Sequence, residues 1–143
     1  MRVRRGLPEH LTAMEKVFLK CFPPGWQFTQ TMEDGTGFEY LVLESDDHGI
    51  VGFAAFSVKH RYLAHLAVLP GFRKPGTLLL WQARLQETRQ YGLDNWFGRC
   101  RPETSYRLYC RRRDAGEIVF VCDEPGPTVN GEVMRKVRFR IVS

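Results

Sequence analysis

The apolar run Tyr62 to Leu69, and the helical pattern that follows it, constrain this chain more than any other feature. A run with so little polar interruption reads as a strand buried on both faces, which belongs inside a sheet rather than at its rim. After a turn at Pro70-Gly71, Thr77 to Tyr91 sets Leu78, Leu79, Trp81, Leu85 and Thr88 around one side of a helix. Gly92 is placed to cap that helix. Asn95 to Cys100 reads as the next strand, so strand, helix and strand follow one another as a crossover.

The remaining elements arrange themselves around this unit. Met1 to Arg4 is a short strand. Pro8 to Cys21 spaces Leu11, Met14, Val17, Phe18 and Cys21 as an amphipathic helix, ended by Pro23-Pro24-Gly25. A second, short helix is expected over Trp26 to Glu33. Phe38 to Glu44 and Ile50 to Val58 form a hairpin about Asp46-Asp47-His48-Gly49. Glu103 to Arg113 is a helix opened by Pro102 and Glu103. Glu117 to Cys122 and Val133 to Val142 are closing strands, joined by a loop rich in Gly and Pro. Hairpins combined with one crossover give a mixed α/β (α+β) class. Residues 1–143 form a single domain, since no linker, repeat or low-complexity tract divides them.

Several function classes are excluded by composition. No apolar run approaches the ~20 residues of a membrane span, and no apolar stretch follows the basic N-terminus, so neither membrane insertion nor a secretory signal is expected. The four cysteines (Cys21, Cys100, Cys110, Cys122) show no C-x-x-C pair and no histidines at ligand spacing. Free thiols, a cytoplasmic location and no metal site are the expectation. The formal charge of +5 suits either plain solubility or anionic partners such as a phosphate-bearing cofactor.

The chemistry concentrates between the buried strand and its helix. A helix N-terminus offers unpaired N–H groups and partial positive charge. Arg73 and Lys74 add charge at its mouth, and Gly76 is free to take positive φ and let a ligand approach the backbone. Such a passage can cradle a phosphate or pyrophosphate. The alternative, a tight turn with solvated basic residues, stands beside it. A Walker A loop is excluded because no G-K-[ST] follows.

Ala67-Val68-Leu69-Pro70 followed by Arg73-Lys74-Pro75-Gly76-Thr77-Leu78 resembles the signature of the GNAT (GCN5-related) N-acetyltransferases: an apolar strand ending in V-x-P, then [RQ]-x-x-G-x-[GA] opening a helix. Ser105-Tyr106-Arg107-Leu108-Tyr109 is similar to that family's A-x-x-L-Y helix, and Met134-Arg135-Lys136 to the M-x-K of its last strand. The resemblance implies a mostly antiparallel sheet of six or seven strands flanked by about four helices, with a V-shaped splay between the fourth and fifth strands. It implies acetyl-CoA as co-substrate. Cofactor roles would fall on Leu66, Ala67 and Val68 for the pantetheine arm, and on Arg73, Lys74, Gly76, Thr77 and Leu78 for the pyrophosphate. Two residues depart from the pattern: Pro75 removes one N–H donor, and Leu78 replaces a small residue.

By the same resemblance Tyr109 protonates the leaving thiolate; alternatively it packs in the core, and Tyr106 is the exposed tyrosine. A general base is not evident. His65 has a suitable pKa but reads equally as a structural histidine, and His60 and Tyr62 are no better supported. Arg111-Arg112-Arg113 is either a solvated face or a holder of phosphate or RNA. The function implied is acyl transfer to a primary amine by direct attack. A GNAT domain acting on aminoacyl-tRNA and a non-catalytic CoA-binding module are the alternatives. A homodimer would form if the apolar final strand (Val137, Phe139, Ile141) lay at a free edge.

Overall fold

A computed structural model describes all of residues 1–143. It contains seven strands and three α-helices in the order β1 (Arg2–Arg5), α1 (Leu11–Cys21), β2 (Glu39–Ser45), β3 (Gly49–Ser57), β4 (Tyr62–Val68), α2 (Arg73–Arg89), β5 (Trp96–Cys100), α3 (Ser105–Asp114), β6 (Ile118–Val129) and β7 (Glu132–Ile141). Single 3₁₀ turns at Pro8–His10 and Pro70–Phe72 lead into α1 and α2. The strands form one sheet ordered β1-β2-β3-β4-β5-β7-β6. Every neighbouring pair is antiparallel except β4–β5, which the α2 crossover makes parallel.

Strand alternation sends successive residues to opposite sides, and the two sides carry separate cores. Leu41, Leu43, Ala54, Phe56 and Val68 pack with Leu80, Trp81 and Leu85 of α2. Val42, Phe53 and Ala67 pack with Met14, Val17 and Phe18 of α1. Tyr109 of α3 joins the α2 side, its ring edge-on to Trp81 at 5.0 Å and to Phe139 at 5.7 Å. Gly98 makes room for it: a Cβ there would overlap the Tyr109 hydroxyl and lie 2.8 Å from Cζ.

Three expectations are corrected. No helix forms over Trp26 to Glu33; the chain there is irregular, touched only by a bridge between Thr31 and Gly37, so three helices flank the sheet instead of four. The Gly/Pro-rich segment is no loop, because β6 runs on to Val129 and returns at Asn130-Gly131, both at positive φ. Asn-Gly is the dipeptide that suits a two-residue hairpin turn. Pro125 and Pro127 are tolerated because β6 is an edge strand and its register shifts between Pro125 and Thr128. The final strand is not an edge: β7 lies between β5 and β6 with Val137, Phe139 and Ile141 buried, so it offers no free edge to a second copy.

Gly98→Ala should destabilise the fold by about 1–3 kcal/mol through overpacking, read as a lower urea midpoint. Adding Tyr109→Phe to that variant should recover part of the loss by removing the overlapped hydroxyl.

Candidate active site

β4 and β5 stay paired for only two positions, Tyr62 opposite Phe97 and Leu63 opposite Gly98. Beyond them the strands part around a cleft of about 760 Å³ that passes through the sheet. The parting begins at a bulge in β4, where one residue of β3, Ala55, faces both Ala64 and His65. Arg84 of α2 fixes this bulge. Its Nη1 donates to the carbonyl oxygens of Ala55 at 3.1 Å, Ala64 at 3.3 Å and His65 at 3.2 Å. The side chain is 1% exposed, has no carboxylate partner and leaves Nε without an acceptor. Burial pulls its pKa below the ordinary guanidinium value. The arginine occupies a position on α2 among Leu80, Trp81, Leu85 and Thr88, and no expectation named it.

Past the bulge, β4 turns its own amides toward the gap. Leu69 N–H bonds Val51 O just beyond the Gly52–Val68 pair. Leu66 and Val68 therefore hold the positions whose N–H groups point away from β3 and into the cleft.

One arm of the cleft lies on the α2–α3 side, where Arg73, Thr77, Ser105, Leu108, Tyr109 and Arg111 line it. Of the expected cofactor residues, Leu66, Ala67, Val68, Arg73 and Thr77 line the cleft, whereas Lys74, Gly76 and Leu78 do not. Gly76 does not take positive φ; it sits inside the helix, where a Cβ would meet Leu43 at 2.7 Å and Val68 at 3.2 Å. Its small size serves close helix–strand packing. Leu78 is 37% exposed and turns outward. Arg73 Nε donates to Val68 O at 2.9 Å, tying the helix start to the strand end. Tyr109 reaches the cleft floor while 4% exposed, and burial pushes its phenol above the ordinary value. Tyr106 is engaged elsewhere, donating to Asp123 Oδ2 at 2.5 Å. In the arginine run, Arg112 pairs with Glu117 and Arg113 with Asp114, which leaves Arg111 to face the cleft.

The opposite arm lies on the α1 side. Phe22 and Trp26 wall it, with the Arg101 guanidinium over both rings at 5.8 and 5.1 Å. Val129, Asn130 and Met134 close it from the β6–β7 hairpin. His65 points here, among Phe18, Phe22, Phe28 and Phe53, with Thr29 Oγ1 3.0 Å from Nε2. Burial pulls the imidazole down to about 4, so it is neutral near pH 7 and a weak base. His60 instead meets Asp34 Oδ2 at 2.8 Å. Arg99 and Arg101 entered no expectation, and Trp26 and Met134 were named only in an expected helix and a last-strand motif, because this arm assembles from segments far apart in the chain.

No family sequence profile matches the chain, and no curated protein is similar to it in sequence. Solved structures are similar in fold. Ard1 from Thermoplasma volcanium superposes with a TM-score of 0.71 at 18% identity, covering 99% of this chain and 97% of that one. The ribosomal-protein-S18-alanine N-acetyltransferase from Escherichia coli gives 0.70 at 12%, covering 99% and 93%. A GCN5-related N-acetyltransferase from Rhodopseudomonas palustris gives 0.68 at 14%, covering 98% and 94%. The chain has the GNAT fold, including the splayed parallel β4–β5 pair. No helix in it is long and apolar enough to cross a membrane.

Two outcomes follow from the cleft. Arg84→Met should cost about 3 kcal/mol in chemical denaturation, since it strips a charged donor from three carbonyls. For His65, the unfolded chain binds a proton between about pH 4 and 6.5 that the folded chain refuses. The stability contributed is therefore full above that window and falls on acidification through it. His65→Gln should flatten the loss of urea midpoint between pH 7 and pH 5.

Proposed function

We propose that this chain transfers an acyl group, acetyl in the simplest case, from acyl-CoA to a primary amine. The observation that carries the reading is the β4–β5 splay, with the Leu66 and Val68 amides turned into a cleft open to both faces of the sheet. An extended pantetheine arm can pair with such amides as an added strand would. Thr77 and the first turn of α2 supply N–H groups and positive potential for the pyrophosphate, and Arg73 and Arg111 add charge. Pro75 leaves that cradle with one N–H donor fewer than the family pattern, while Leu78 turns its side chain outward and does not crowd it.

The thioester carbonyl then lies in the splay, reached by the amine from the aromatic arm. The amine nitrogen attacks the carbonyl carbon and loses a proton to solvent. The carbon–sulfur bond breaks, and the departing thiolate takes a proton from Tyr109, which regains one from water. Burial holds the Tyr109 phenol protonated between turnovers, while the Arg84 cation acts the other way and stabilises the phenolate left by donation. The weakly basic His65 positions the aromatic wall rather than taking the amine proton.

Calorimetric titration with acetyl-CoA and with CoA tests the reading. Micromolar binding is expected, weakened at least about tenfold by Thr77→Asp, whose carboxylate repels phosphate at the helix start. Tyr109→Phe should keep KM and lower kcat about 100-fold. Absence of binding to either ligand would overturn the proposal. Binding without turnover across a panel of amines would reduce it to a CoA-binding module.

A further inference from the structure

The α1-side face of β5 and β7 carries a group of cations that form no ion pair. Phe97 stands at its centre, with Lys136 Nζ 5.3 Å, Arg138 Cζ 5.5 Å and Arg99 Cζ 5.9 Å from the ring centroid. Tyr62 stacks on Phe97 at 4.8 Å, and Arg99 also lies over the Tyr62 ring at 5.5 Å. The sheet register makes this placement rigid. Arg99 is directly opposite Lys136, and Phe97 directly opposite Arg138.

Like charges on directly opposed strand positions destabilise a sheet. Three cations also share one ring, so the cation–π attraction cannot offset their repulsion in full. The neighbouring carboxylates are committed: Asp94 to Arg140, Glu132 to Arg101, and Asp123 to Arg135. Glu124, in register with Lys136 on β6, is exposed and forms no ion pair. Arg138 satisfies one donor on the Asn95 carbonyl at 3.3 Å, which carries no full charge.

Position gives the cluster its meaning. The β4–β5 pairing ends at Leu63 and Gly98, and Arg99 is the next residue, so the cations begin where the strands part. Tyr62 and Arg99 line the cleft on the arm that admits the amine. We propose that Arg99, which lines the cleft, with Lys136 and Arg138 behind it on β7, binds an anionic group, carboxylate or phosphate, carried by the acceptor. The inference rests on the acyltransferase reading and narrows its acceptor to anionic amines. Guanidinium pairs favour planar, bidentate recognition of such groups, and the lysine adds a point charge.

The test is a series of matched short amines with acetyl-CoA: 2-aminoethyl phosphate, 3-aminopropanoate, propylamine and 1,3-diaminopropane. The anionic amines should exceed propylamine at least about tenfold in kcat/KM, with the diamine lowest. The better of the two anions identifies the group. Lys136→Glu/Arg138→Glu should invert the order. Turnover with equal preference across the series, or an order unchanged in the double variant, would overturn the inference while leaving acyl transfer intact. Thermal shift with inorganic phosphate keeps the two readings separable if no amine is acylated. Stabilisation by phosphate that is lost in Arg99→Gln/Lys136→Gln/Arg138→Gln supports the cluster; stabilisation equal in both proteins, or absent from the parent, overturns it.

Discussion

A single buried guanidinium holds the site open. A sheet strand left unpaired along one edge exposes backbone groups that would ordinarily recruit a neighbour or collapse onto one. Here the carbonyls of Ala64 and His65, together with Ala55 across the bulge, are taken by Arg84 Nη1. The bulge bends β4 away from β5, and the guanidinium occupies the space beneath. Desolvating a charge without a counterion is costly. The three carbonyl dipoles and the Trp81 ring, 5.8 Å from Cζ, offset that cost. The same charge sits under the cleft floor, where the proposed acyl transfer would form a thiolate or phenolate.

The cleft joins two chemically different halves because the sheet separates two cores. On one face, α2 begins against the end of β4 and Tyr109 is locked between Trp81 and Phe139. That half is ordered by packing and suits an invariant ligand. On the other, α1 covers β3 and β4, and the wall beyond it comes from the irregular segment around Trp26 and from the β6–β7 turn. Such a wall can change without disturbing the sheet. Charge follows the same division. Arginines at the β1 edge pair with Glu39 and Glu44, and Arg107, Arg112 and Arg113 of α3 with neighbouring acids. Among the basic residues outside any ion pair, Arg99, Lys136 and Arg138 stand together on β5 and β7 beside the cleft, whereas others such as Lys20, Lys74 and Arg89 lie apart from one another on the helices.

Much of the fold was readable before the structure, and the misses have physical causes. Strands β2 to β5 and helices α1 and α2 were visible because their apolar spacing matches the period of one element type. The Trp26–Glu33 segment misled because its aromatic residues pack on α1 and His65 without helical hydrogen bonds. The extension of β6 was hidden by Pro125 and Pro127, which mark loops except at a sheet edge. Asn130-Gly131 carried the turn signal within the segment taken as loop. Gly76 was recognised as necessary for the wrong reason, since its missing Cβ serves Leu43 and Val68 rather than a ligand. Leu66, Ala67, Val68, Arg73, Thr77 and Tyr109 were named in advance and line one cleft, because the strand–turn–helix passage that holds most of them is local in sequence.

By itself the sequence determined the order of strands and helices, the single crossover and the position of the strand–helix junction, all of which depend on residues within a few positions of one another. Only the tertiary structure decided where β4 and β5 separate, which arginine is buried beneath them, and which cations face one another across β5 and β7. Those features are pairings between residues distant in the chain. Their energies arise from desolvation and from cross-strand register, which no local pattern of side chains encodes.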